Sequence, residues 1–263
     1  MSENDGYDFK PILSFSRSKF INVSAESRHL DTIQARALGW REGTEVLWIC
    51  GSGRYRSSPA YLAAADLSAL IDTANAASGD GPVELDRIMG DNGPVRFFTG
   101  SRETVSWSRN EQDAVPLFCA GDIGELSCRH NETFGRFFIT YNSGNPRGII
   151  LRHATQPWGQ WSDAIVIFDP GWGSSPGHPA GAGYGVFMHV PWNLARVDNV
   201  QDDMFLGGRR DNDWAGEYGP YQVTRFSTGV ANERCDLLYA MSTWNPYESM
   251  LMHTRVTAQD LGL

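Results

Sequence analysis

Two short stretches of the chain gather carboxyl groups beside glycines. One is Gly121-Asp122-Ile123-Gly124-Glu125-Leu126-Ser127; the other runs from Asp211-Asn212-Asp213-Trp214 through Gly216-Glu217-Tyr218-Gly219-Pro220-Tyr221. Each sits just before a stretch with strand character, and glycine lets a backbone or ligand come close. Two carboxyls flanking a glycosidic bond can hydrolyse it. One, kept protonated, gives its proton to the leaving oxygen, while the other attacks the anomeric carbon or activates a water. Asp122, Glu125 and Glu217 are the candidate catalytic residues, with Asp211 and Asp213 in reserve as substrate contacts. The competing reading is that acidic residues ahead of a strand are turn residues accepting backbone N–H bonds.

Sugar chemistry also needs apolar platforms, because one face of a sugar ring packs on an aromatic face while its hydroxyls find polar partners. Most of the tryptophans, such as Trp107, Trp158 and Trp161, read as packing between sheets. Trp214, Tyr218, Tyr221, Trp244 and Tyr247 are set in polar turns and are the candidate substrate contacts. Arg54 and Arg56 at a hairpin tip could clamp a hydroxyl-rich or anionic ligand. His189 is the one histidine with a candidate site role, whereas His153 and His253 read as structural. The Gly51-Ser52-Gly53 run is not a phosphate loop, since no Gly-Lys-Ser/Thr follows it.

Charge narrows the partners. With 22 basic against 31 acidic side chains, a formal charge of −9 and a pI near 5.1, the chain lacks the concentrated positive field that a nucleic acid or an anionic membrane surface requires. No run approaches 18 apolar residues, and Met1 to Lys10 has neither the basic nor the apolar part of a signal peptide. A neutral or sparsely charged polysaccharide or oligosaccharide suits this surface better. Cys50, Cys119, Cys128 and Cys235 are widely spaced, with no CxxC, and read as four buried thiols rather than two disulfides. Cys128 with His130 is a poor zinc pair, so no zinc site is expected.

These groups must be carried by strands. The chain holds 28 Gly, 13 Pro, 9 Trp, 9 Tyr and 13 Phe, the inventory of short strands joined by tight turns, while 41% hydrophobic residues suffice for a packed core. The best helical stretch, 60–77, reads equally well as a strand through Tyr61-Leu62-Ala63 running into a short helix near Asp66 to Ala76. Strands ending in a polar turn recur at Glu45–Cys50, Val95–Phe98, Arg136–Tyr141, Val186–His189 and Leu237–Met241, with turn markers at 51, 99, 142, 190 and 242. Return strands follow three of them, at 61–63, 149–152 and 250–253, and others precede them at 20–23, 125–129 and 221–226. A hairpin repeating at this spacing predicts an all-β fold, a five-bladed β-propeller, with four blades plus a long insertion around 170–208 as the alternative. The expected layout is an N-terminal extension, 1–18, and a single propeller domain, 19–263. A β-sandwich is the main rival and does not require so regular a spacing.

The motifs resemble the domain-of-unknown-function family 4185, whose characterised members include endo-D-arabinanases of glycoside hydrolase family 183. The resembling segments are Gly51 to Leu62, Phe97-Phe98-Thr99-Gly100, Gly121 to Ser127, Gly216 to Tyr221 and Met241-Ser242-Thr243-Trp244-Asn245-Pro246-Tyr247, in one order over roughly residues 19–256. The resemblance implies a five-bladed propeller, export to the cell surface or beyond, and endo-hydrolysis of the D-arabinan in mycobacterial cell walls without a cofactor. The acidic first segment expected of such proteins has no counterpart in Met1 to Lys19. A non-catalytic carbohydrate-binding propeller and a protein-binding scaffold are the other function classes carried forward.

Overall fold

A computed structural model describes residues 16–76, 93–101, 104–144, 146–168, 217–243 and 249–263. The described residues form thirteen strands in three sheets, every pairing antiparallel, with two α-helices, so the fold is mostly β. The chain divides into two compact units. One takes the residues up to Arg54 and Ala60–Leu117; the other takes Tyr55–Pro59 and everything from Phe118 onward.

The first unit holds a five-stranded meander, β1 (Asn22–His29), β2 (Glu45–Ser52), β3 (Ala60–Asp66), β4 (Val95–Phe98) and β5 (Trp107–Ser108), adjacent in chain order. Helix α1 (Thr32–Leu38) links β1 to β2. Asp31 caps it, accepting from the Gln34 N–H at 2.7 Å, and Gly39 ends it at φ 68°. Helix α2 (Leu67–Ala76) follows β3 without a break, the strand-then-helix reading of that stretch. Its Leu70 and Ala74 pack with Ile49, Val95 and Phe97 in the core of this unit. Phe20 joins them where Gly51 leaves room, since a Cβ at 51 would lie 2.6 Å from the Phe20 ring. The markers at 51 and 99 therefore fall in one sheet and do not count two blades.

Glu111, 2% exposed at the start of a 3-10 helix (Glu111–Asp113), holds the entry to this unit. Its carboxylate accepts from the Lys19 N–H at 2.7 Å, from the Ser18 N–H and hydroxyl at 3.3 and 3.2 Å, from the Arg17 N–H at 3.4 Å, and from the Ser16 hydroxyl. Burial pushes this carboxyl up, but the donors outweigh it and hold it below the usual carboxylate range.

The second unit contains two four-stranded sheets. The first is the meander β6 (Leu126–Asn131), β7 (Arg136–Gly144), β8 (Arg147–Ala154) and β9 (Ile165–Phe168). In the other, β12 (Arg234–Thr243) pairs β13 (Ser249–Thr257) along one side. On its other side it pairs β10 (Glu217–Gln222) and then β11 (Thr228–Val230), separated by a 3-10 helix, Thr224–Phe226, where a continuous strand over 221–226 was expected. Apolar side chains of both sheets, among them Phe138, Leu151, Phe168, Tyr239, Met241 and Val256, form one core. Phe138 is wholly buried there, and Phe138→Ala is expected to cost about 3–5 kcal/mol, read as a lower urea midpoint at unchanged slope.

One face of β7 turns from apolar to polar toward its C-terminal end and meets β10. Gln222 donates its side-chain amide to the carbonyls of Ser127 (2.8 Å) and Phe138 (3.0 Å). The Thr140 hydroxyl donates to the Pro220 carbonyl (2.7 Å), and the Asn142 amide to that of Glu217. These buried bonds tie side chains of each strand to main-chain carbonyls across the contact, and so fix β10 against β6 and β7.

Two sequence expectations need adjusting. Glu217 lies in a strand rather than ahead of one. The four cysteines are free thiols, but Cys119 is exposed rather than buried, in an irregular segment outside both cores. His153 is structural as expected. Its Nε2–H donates to the Leu261 carbonyl at 3.1 Å, and burial, helped by Arg136, lowers its pKa.

Candidate functional site

The C-terminal end of β7, Asn142 to Gly144, collects the carboxyl-bearing segments of the second unit. Segment 122–125 is bound to it by main-chain bonds, Gly124 N–H to Asn142 C=O at 3.0 Å and Asn142 N–H to Glu125 C=O at 3.2 Å. Asp122 reaches one step further and accepts from the Gly144 N–H (2.7 Å) and the Ser143 hydroxyl (3.2 Å). Glu217 is tied to the same place through its carbonyl, which accepts from the Asn142 side chain.

The third segment is Tyr55–Pro59. Arg56 N–H donates to the Ile123 carbonyl (3.0 Å) and Ile123 N–H to the Ser58 carbonyl (3.3 Å), so the segment lies along the acidic loop, with Ile123 fully buried beneath it. Arg56 makes the bend with a left-handed backbone, φ 49°, a conformation that costs a non-glycine residue free energy and that packing must hold. Its guanidinium lies 5.3 Å over the Tyr55 ring, and its Nε–H is buried with no acceptor among the described residues. The Tyr55 hydroxyl donates to Glu125 Oε2 at 3.3 Å. Gly124 is where these groups converge, since a Cβ there would lie 3.3 Å from both the Tyr55 ring and Asn142 Oδ1. Asn142 is fully buried, and its Oδ1 has no donor among the described residues.

The three carboxyls differ in access. Asp122 and Glu125 keep part of their surface in solvent, whereas Glu217 is fully buried. On the other face of β7, the Tyr141 hydroxyl accepts from Arg152 Nε at 3.0 Å, and burial, opposed by that guanidinium, raises its pKa. The Phe118 ring stacks 5.8 Å from that of Tyr141 and lies 4.7 Å from the Arg152 guanidinium, so it packs against this pair.

The structure thus brings Asp122, Glu125, Glu217 and Arg56 to one end of β7. Tyr218 follows Glu217 and is half-buried. Tyr221 stands apart, further along β10. Its hydroxyl accepts from Arg129, whose guanidinium lies 5.2 Å over the ring. Arg54 is exposed. Asp211, Asp213, Trp214, His189, Trp244 and Tyr247 lie outside the described residues.

Tyr55 and Asn142 were missed by the sequence reading. Tyr55 was hidden between two arginines that drew the attention, and Asn142 was read as a turn residue where β7 in fact continues. Among the described residues no three His, Cys, Asp or Glu side chains gather as metal ligands would, and no helix is long and apolar enough to cross a membrane.

Compared with curated proteins, the chain has no match. The family model described as Domain of unknown function (DUF4185) matches residues 2–253, nearly the whole sequence, and the protein belongs to that family.

Proposed function

We propose that this protein is a propeller glycoside hydrolase that cuts an arabinofuranose polysaccharide internally, the D-arabinan of mycobacterial cell walls being the substrate its family resemblance favours. The observation that carries the reading is the convergence of Asp122, Glu125 and the Glu217 strand on the last residues of β7, beside a buried guanidinium N–H that no described acceptor uses. Asp122 and Glu125 are the carboxyls a polymer can reach. Carboxyl chemistry of this kind asks for no cofactor. A polymer of the cell wall places the work at the cell surface or outside it.

Two of the three sheets are meanders with strands adjacent in chain order, which supports a propeller. Because the markers at 51 and 99 share a sheet, four blades are the better count than five. The marker at 190 is outside the described residues.

A second reading is a carbohydrate-binding propeller without hydrolysis. It is favoured by the engagement of Asp122 with Gly144 and Ser143 and by the burial of Glu217. Incubating the full chain with mycobacterial arabinogalactan, and with plant arabinan as control, separates the two. New reducing ends and oligosaccharides from the mycobacterial polymer are expected. Saturable binding of that polymer without any release supports the second reading instead.

A further inference from the structure

We propose that Tyr55 is a positioning residue for Glu125, its phenol holding the carboxylate in the orientation from which it meets the substrate. This rests on the hydrolase reading and names a part that the acidic motifs do not contain.

Three observations carry it. Among the hydrogen bonds of the Glu125 carboxylate, the donor is the Tyr55 hydroxyl, 3.3 Å from Oε2, and it arrives from 70 residues away in sequence. The ring that bears it has the Arg56 guanidinium over it at 5.3 Å and lies so close to Gly124 that a Cβ there would stand 3.3 Å from it. The backbone is fixed as well. The left-handed Arg56 turns the chain so that Arg56 N–H and the Ser58 carbonyl both bond to Ile123, two residues before Glu125. A tyrosine that only filled space would not direct its hydroxyl at a half-exposed carboxylate. Burial and the neighbouring Glu125 also raise the Tyr55 pKa, against the pull of Arg56, so the phenol keeps its proton and remains a donor through the neutral range.

A carboxylate free to rotate meets the reacting carbon in the right geometry only part of the time, and a misplacement of about 1 Å can cost a rate on the order of 100-fold. Tyr55→Phe removes the hydroxyl and keeps the ring, and Tyr55 is 45% exposed, so the fold is expected to survive. In Tyr55→Phe, kcat on mycobacterial arabinogalactan is expected to fall about 10- to 100-fold with KM little changed. The acidic limb of the pH–rate profile is expected to move relative to wild type. Tyr61→Phe, in the first unit, is the control expected to change neither.

Unchanged kcat and pH profile in Tyr55→Phe overturn the inference while leaving the hydrolase reading intact. A loss as complete as that in Glu125→Gln also overturns it, because the phenol would then be a reacting group itself. If wild type releases nothing from either polymer, the hydrolase reading fails. The side-chain carboxyl resonance of Glu125, followed by carbon NMR in wild type and Tyr55→Phe, still decides the contact: a shifted resonance supports it, and an identical one overturns it.

Discussion

Glu125→Gln is expected to lower the rate of D-arabinan cleavage roughly 10²- to 10⁴-fold, the range that one positioned acid or base contributes. Glutamine keeps the size of the side chain and an acceptor for the Tyr55 hydroxyl, so the replacement removes charge and proton affinity while leaving the local packing in place. Glu125 is only partly buried, and its main-chain bond to Asn142 does not depend on the side chain. Melting temperature should therefore stay within a degree or two of wild type, as for surface changes that disturb no packing. Asp122→Ala makes the instructive contrast. Asp122 also fixes the Gly144 N–H and the Ser143 hydroxyl, so its loss should slow cleavage and loosen the β7–β8 hairpin together. Reducing-end release from mycobacterial arabinogalactan and a thermal melt on the same preparations check both variants. Full activity in Glu125→Gln would remove Glu125 from the chemistry.

The largest loss of stability from a polar side chain is expected at Glu111. Its carboxylate takes hydrogen bonds from five donors on Ser16 to Lys19, and it is 2% exposed. Glu111→Ala leaves those donors facing a hole, and a loss of about 3 kcal/mol follows from the usual cost of stranding donors around a vanished buried charge. Glu111→Gln separates charge from shape and should lose less. The folded-state pKa lies below the ordinary glutamate value, so the carboxylate's contribution is fully present above that value, about 4.3. It is then lost as the pH falls from there through the folded pKa. Wild type should lose urea resistance over that acidic window, and Glu111→Gln should show a flatter dependence there. Equal slopes for the two proteins below pH 5 would show that Glu111 carries no such linkage. Hydrogen exchange at the amides of Arg17 to Lys19 should quicken most in Glu111→Ala, where their acceptor is gone, and less in Glu111→Gln, which keeps one acceptor oxygen.

The sheets that hold these groups were legible where apolar and aromatic runs were strong. Leu237 to Met241 announces β12 because Leu237, Tyr239 and Met241 alternate into one core, and Arg136 to Tyr141 announces β7 as a run buried on both faces. Other features were obscured for identifiable reasons. Helix α1 is short and leaves Ile33 62% exposed, so it has no apolar stripe to betray it. Its signature was Asp31 with Gln34 and then Gly39, a capping pattern rather than a periodicity. Glu217 read as a turn residue because Gly219-Pro220 looks like a chain break. In the structure, the register of β10 shifts between Tyr218 and Tyr221 and takes up those two residues as an irregularity. The addition of β4 to the first sheet could not be seen, because helix α2 and the residues after it separate β4 from its partner β3. The carboxyls of the site were legible as residue types. Their gathering was not, because Asn142 and Tyr55 join segments far apart in sequence.

That second unit takes five residues, Tyr55–Pro59, from the turn between β2 and β3. A fragment cut at Phe118 would keep all the acidic motifs and lose the phenol and guanidinium that meet them. The shortest piece holding the whole constellation is therefore discontinuous in the gene. Conversely, the β2–β3 turn behaves as a small cassette. Exchanging it between related chains would retune the surroundings of Glu125 without altering any strand of the two sheets of that unit.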